Sequence, residues 1–190
     1  SVGQSAHFKI KNRIKNLKNF TKSINFFISK YSISVLKTVK KPLNFHARHS
    51  AVKRTYKYYI INRKSPLSLD KNRAWHVKKK LDIKLMQQGA KLLKGTRDLS
   101  TFRSSSCGAK SPIKTSEIVR IKKISKKIEI TFTSKSFLQQ QVRSMVGCLK
   151  YLGENKWSLK YFKNSLISKK RSMCAPPAPA CGLYLYKVNY

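Results

Sequence analysis

Two stretches of this chain hold side chains able to work on a polyanion. The first, FHARHSAVKRTYKYYI (45–60), gathers His46, Arg48, Arg54 and Lys57 around Tyr56. Cations at that density take up phosphate charge, and a tyrosine ring offers a base a stacking face with a polar hydroxyl. Tyr58 and Tyr59 follow closely and carry the same groups, so spacing alone does not choose among the three. The second stretch, FLQQQVRSMVG (137–147), sets Arg143 beside an apolar stripe, at an edge from which a side chain can reach into a cleft. A guanidinium fork suits a carboxylate better than a lysine does, although an ordinary surface arginine would show the same spacing. Carboxylates are scarce. Asp70, Asp82, Asp98, Glu117, Glu129 and Glu154 are the full set, so the first 69 residues carry none.

The composition points the same way. Against those 6 acids stand 43 lysines and arginines, a formal net charge of +37. Such a chain repels itself and needs a polyanion nearby. With 11% aromatic residues to stack on bases, nucleic acid is the expected partner. Part of the excess is a general lysine habit, as in the run Lys78, Lys79, Lys80. Hydrophobic residues make up 41% of the 190, enough for a packed core and against a disordered polycation. Cys107, Cys148, Cys174 and Cys181 form no CxxC pair and read as free thiols. His7, His46, His49 and His76 lack companion ligands at zinc spacing, so neither a metal nor a cofactor is expected. No apolar run reaches membrane-spanning length and the start has no signal-peptide layout. A soluble, cytoplasmic chain with no membrane partner is the expectation.

The elements that must carry these residues follow from periodicity. Residues 16–30 space Leu17, Phe20, Ile24, Phe27 and Ile28 as a helix, and 31–39 favour a strand. Residues 52–61 are rich in β-branched and aromatic side chains and form a second strand. A polar stretch at 62–72 with Pro66 suggests a boundary, giving domains 1–65 and 66–190. Residues 82–94 form a helix with Asp82 as N-cap and Gly95 as stop. Two strands follow, the second alternating cleanly at 127–133. Then come a strong amphipathic helix at 137–152, a shorter one at 159–168 capped by Ser158, and the strand LYLYKVNY after a proline-rich loop. Helices on one face of a mostly antiparallel sheet make an α+β layer fold of ferredoxin-like type. The first half holds pieces of a similar unit without its opening elements.

Four segments, in order, resemble the tRNA pseudouridine synthase A family: GQSAHF (3–8), FHARHSAVKRTYKYYI (45–60), GTRDLSTFR (95–103) and FLQQQVRSMVG with the APACGLYL ending. The third matches G-x-x-D-F-x-x-F-R with Leu99 in place of phenylalanine. The resemblance implies two ferredoxin-like α/β sandwich halves around a basic cleft, the first half incomplete at its N-terminus. It also implies a homodimer and an isomerase that turns uridine into pseudouridine in the anticodon stem-loop of tRNA, without cofactor or metal. Tyr56 takes the place of the tyrosine set against the target uracil, and Arg143 that of the arginine paired with the catalytic aspartate. His46, Arg48, Arg54 and Lys57 would face RNA phosphates, and Asp98 and Arg103 would brace the sheet or the RNA. Phe102 is expected in the core.

The family's nucleophilic aspartate lies in a G-R-T-D-A-G-V-H loop just before the G-Q-x-x-H-F strand. Here that position would fall before Ser1, so the 190 residues alone are expected to be inactive. Three readings follow: a piece of an active enzyme, one half of a split enzyme, or a non-catalytic tRNA-binding homologue.

Overall fold

Alternation along VKRTYKYYII sends Arg54, Tyr56, Tyr58 and Ile60 to one side of an extended chain and Lys57 and Tyr59 to the other. In the computed structural model, which describes residues 2–190, that segment is β1 (Lys53–Asn62), an interior strand of a six-stranded sheet. The other strands are β2 (Trp75–Val77), β3 (Gly95–Asp98), β4 (Ile113–Ile124), β5 (Lys127–Ser134) and β6 (Leu183–Asn189). The order β2-β1-β5-β4-β3 is antiparallel except for the β1/β2 pair, and β6 pairs antiparallel with β1. The architecture is mixed α+β with one open mixed sheet and four helices.

The helices are α1 (Leu17–Phe27), α2 (Ile83–Leu92), α3 (Gln141–Gly153) and α4 (Leu159–Ser168). Asp82 Oδ1 accepts the Leu85 N–H at 2.9 Å and Ser158 Oγ the Tyr161 N–H at 3.1 Å, so both expected caps form. Gly95, at φ +97°, follows α2 in the left-handed region a glycine tolerates. Ile128, Ile130 and Phe132 of β5 turn into the core with Tyr58 and Ile60, beneath Met86, Met145, Leu149, Leu152 and Phe162 from the helices. Phe102 and Leu99 are fully buried in the same core. Ten of the thirteen residues of α3 are buried. Its exceptions include Arg143.

The chain divides into two units, Ser5–Ser50 and the remainder from Ala51 onward with the residues up to Gln4. β1, which precedes the 65/66 boundary expected from the sequence, is hydrogen-bonded into the sheet of the larger unit. Within the smaller unit the strand expected at 31–39 does not form. Instead the Asn25 side chain binds both the N–H and the carbonyl of Val35, and Thr38 Oγ1 donates to Leu17 O at 3.0 Å. The Asn25 side chain of α1 thus takes both backbone groups of Val35, which a neighbouring strand would have taken. The opening residues are also not a strand, although Val2 N–H donates to Leu185 O at 3.0 Å.

Asp98 caps the short turn Ser100–Phe102: its Oδ1 accepts from Ser100 N at 2.9 Å and Ser100 Oγ at 2.6 Å. The Ser100 hydroxyl bond is the main cause that holds its carboxyl below the ordinary range, and the Lys169 charge adds to it against burial. A depressed folded-state pKa stabilises above the unfolded carboxyl value of about 3.9 and is lost as pH falls through the lower folded value. Asp98→Ala is therefore expected to cost about 1 kcal/mol near neutrality and less at an acid pH below the unfolded carboxyl value of about 3.9. Urea unfolding at both pH values checks this, and an equal loss at both would contradict it.

Candidate active site

Arg143 stands on the first turn of α3, where the helix meets the proline-rich loop. Its Nε donates to Ala178 O at 2.6 Å, and its own carbonyl accepts the Ala178 N–H at 3.0 Å. Side chain and backbone thus grip one residue of the loop from two sides. No further hydrogen bond is made by its terminal amino groups among the described residues, and the side chain is half-buried. The loop is held in turn by β1, because the Tyr58 hydroxyl donates to Pro179 O at 2.6 Å. Burial pushes the Tyr58 phenol far above its usual range, so it stays a donor, with Arg143 the nearby charge that opposes the shift.

Tyr56 lies two residues before Tyr58 on the same face of β1. Its ring meets Phe137 edge-on at 5.2 Å, and Phe137 leads into α3. Tyr56 is half-buried where Tyr58 is fully covered. Burial also raises the Tyr56 phenol, while the charge of Arg54 acts against the rise. One end of α3 therefore reaches Tyr56 through Phe137, and Arg143 reaches the loop pinned by Tyr58. A stacking ring and a guanidinium with donors to spare are thus both tied to β1, the one at Tyr56 itself and the other through the loop held by Tyr58.

The other expected residues separate. Arg54 shares the Tyr56 face and donates through Nη1 to Ala51 O and Lys135 O, at 3.2 and 2.5 Å. Lys57 points to the opposite face, where it bonds Glu129 Oε2 at 2.9 Å and lies 4.0 Å from the Tyr186 ring centre. Burial lowers its pKa, but the Glu129 hydrogen bond and charge outweigh that and leave it raised. Arg103 braces its own loop, with Nη2 donating to Cys107 O and Ala109 O. His46 and Arg48 belong to the smaller unit. There His46 Nδ1 accepts the N–H of Arg48 at 3.1 Å, and its ring stacks between His7 and His49 at 4.4 and 4.3 Å.

Most of the carboxylates already have partners. Asp82 and Asp98 cap backbone, Glu117 pairs with Lys53 at 2.5 Å, Glu129 with Lys57, and Glu154 with Lys150 at 2.8 Å. Asp70 lies exposed in the loop after the far end of β1. None of the six is bonded to Arg143 among the described residues.

Sequence reasoning missed two parts of this arrangement. Ala178, 35 residues from Arg143, contributes only backbone, which no residue type advertises. Arg171 is the other: Nη1 donates to Ser144 Oγ at 2.9 Å and Thr101 O at 3.3 Å, tying the segment after α4 to α3.

A family model described as tRNA pseudouridine synthase matches residues 90–190. Over all 190 residues the chain is 62% identical to the tRNA pseudouridine synthase A of Pelagibacter ubique, covering 77% of that protein. It is 39% identical over its whole length to the enzyme of that name from Parvibaculum lavamentivorans, again covering 77%. With that of Maricaulis maris it shares 40% over 168 residues, 88% of this chain and 68% of the relative. With this identity sustained along its length, the chain belongs to the tRNA pseudouridine synthase A family of isomerases.

Proposed function

We propose that this protein acts on uridine in the anticodon stem-loop of tRNA, with Tyr56 against the flipped base and Arg143 fixing the carboxylate that attacks. Substrate and product have the same atoms, so the reaction consumes no redox equivalent or group donor. The carboxylate takes C1′ of ribose as its bond to N1 of uracil breaks, the base turns, and C5 displaces the carboxylate from C1′; the C5 proton leaves and N1 takes one up. The base must leave the stack to turn, and an aromatic side chain is what holds an unstacked base. The observation that carries the reading is an anchored, incompletely bonded guanidinium whose loop is pinned by Tyr58, with half-buried Tyr56 two residues earlier on the same strand. The fork of Arg143 is ready for a carboxylate, and the family resemblance supplies that group from a G-R-T-D-A-G-V-H segment.

Arg54 is assigned to phosphate, as are His46 and Arg48 on their own unit. Lys57, Asp98 and Arg103 are given bracing duties, in keeping with their protein partners. The wider family plan is carried over with this reading: two ferredoxin-like halves about a basic cleft, a homodimer, and a cytoplasmic site of action. No helix among the described residues is long and apolar enough to cross a membrane.

The test joins this chain to a segment carrying the aspartate and measures tritium released from tRNA labelled at uridine C5. Release should come from an isolated anticodon stem-loop. Tyr56→Ala should lower it by about 10- to 100-fold, the usual worth of stacking one base. Because burial keeps the phenol protonated, the rate should show no loss through Tyr56 ionisation up to the ordinary phenol range near pH 10. Release from another arm of tRNA alone, or full activity of Tyr56→Ala, would defeat the assignment.

A further inference from the structure

Outside the proposed site, two thiols lie side by side. Cys148 on α3 and Cys174, at the end of the turn Arg171–Met173, hold their sulfurs 3.5 Å apart across 26 residues of sequence. Cys148 is fully buried, whereas Cys174 is partly exposed and lies outside helix and strand. The Ala175 N–H donates to Cys148 Sγ at 3.4 Å, and Arg171 is held close by through Ser144. We propose that Cys148 and Cys174 form a reversible disulfide, with Cys174 the thiol first oxidised by a hydroperoxide and Cys148 the thiol that resolves it.

The two sulfurs are differentiated by their surroundings. The two sulfurs share a hydrogen bond, and the contact with Cys148 is the main cause that holds Cys174 below the usual thiol range. The Arg171 charge and the Ser144 hydroxyl act in the same direction, against burial. The same sulfur contact, with burial, pushes Cys148 up. Thiolate character and access therefore coincide on Cys174, the combination that marks an oxidisable cysteine. Its thiolate attacks the outer peroxide oxygen, the O–O bond breaks, and the departing alkoxide or hydroxide takes up a proton. The resulting sulfenic acid is attacked by the Cys148 sulfur as that thiol gives up its proton. The S–O bond breaks and leaves as water. Two thiols and one hydroperoxide thus give one disulfide, one alcohol or water, and one water.

Closure asks the sulfurs to approach from 3.5 Å to about 2.05 Å, which the irregular segment at Cys174 can supply. Among the described residues the other two thiols bond to backbone and not to sulfur. Cys107 Sγ accepts the Gln139 N–H and Cys181 Sγ donates to Ala74 O. The staple would fasten α3 to the loop that continues to Ala178, the residue gripped by Arg143. The inference does not rest on the proposed reaction.

The intact reduced protein is titrated with hydrogen peroxide, its free thiols are alkylated, and the digest is mapped by mass spectrometry. A Cys148–Cys174 linked peptide, two hydrogens lighter and restored by dithiothreitol, is expected while Cys107 and Cys181 remain alkylated. In Cys148→Ala, dimedone should trap a sulfenic acid on Cys174; in Cys174→Ala none should be trapped on Cys148. Complete alkylation of both after peroxide, a bridge to Cys107 or Cys181, or first oxidation at Cys148 would overturn the proposal. The cross-link is read in the unsubstituted protein, so poor folding of a variant does not blur it.

Discussion

Arg143→Ala is expected to lower uridine isomerisation by about 10²–10³-fold, the scale seen when one preorganised charge partner of a reacting group is removed. The loss should fall on kcat, because in the proposed role the guanidinium acts on the attacking carboxylate and not on tRNA phosphate. Folding changes little by comparison. The side chain is only half-buried, and its single protein bond, Nε to Ala178 O, contributes roughly 1–2 kcal/mol. Arg143→Lys separates the roles. A lysine keeps the charge but cannot hold Ala178 O and a carboxylate with one planar fork, so most of the loss should persist. Tritium release by the chain joined to its aspartate segment, with tRNA affinity measured in parallel, reads both quantities. A variant with native kcat and weakened binding would reassign Arg143 to phosphate.

Gly147→Ala is expected to destabilise the fold by about 2–3 kcal/mol, a fall of about 5–10 °C in Tm. On an exposed helix the same change would stabilise by up to about 1 kcal/mol. Here α3 passes so close to the proline-rich loop that an added Cβ would overlap the carbonyl oxygen of Pro176. That atom is backbone, and a backbone segment cannot rotate aside as a side-chain tip does. The loop must lift, taking Ala178 and the Nε anchor of Arg143 with it. Activity should therefore fall further than the stability loss alone explains, even at temperatures where the variant is folded. Thermal unfolding by circular dichroism with activity at 20 °C distinguishes the two effects. Native stability in Gly147→Ala would mean that the loop is not seated on the helix.

Both expectations centre on the V-R-x-M-V-G helix, which was plain in the sequence because its apolar residues recur at helical spacing. β1, β5, β6, α2 and α4 were legible for the same reason, each having a clear period, a cap or a turn. The start of α3 was not. Residues 137–140 precede the helix, because Gln140 is left-handed at φ 63° and the Gln141 side chain accepts the Leu138 N–H at 2.8 Å. β2 and β3 are three and four residues long, too short to show alternation. The stretch at 31–39 had the composition of a strand but no strand to pair with, and α1 claimed its backbone. Within the site, alternation already placed Lys57 opposite Tyr56, whereas a list of nearby cations did not. The grip on Ala178 and the meeting of Cys148 with Cys174 join residues far apart in the chain, and neither has a local pattern.

The interior position of β1 has a kinetic meaning. Thr55 meets Thr133 across 78 residues, and Tyr58 meets Pro179 across 121. Such distant closures cost loop entropy before they return any contact, which makes folding slow. During synthesis the Lys53–Tyr58 edge stays unpaired until residues 183–189 emerge from the ribosome. For that interval a tyrosine-rich strand is open to the wrong neighbour, and the basic side chains along it serve as its guard against self-association.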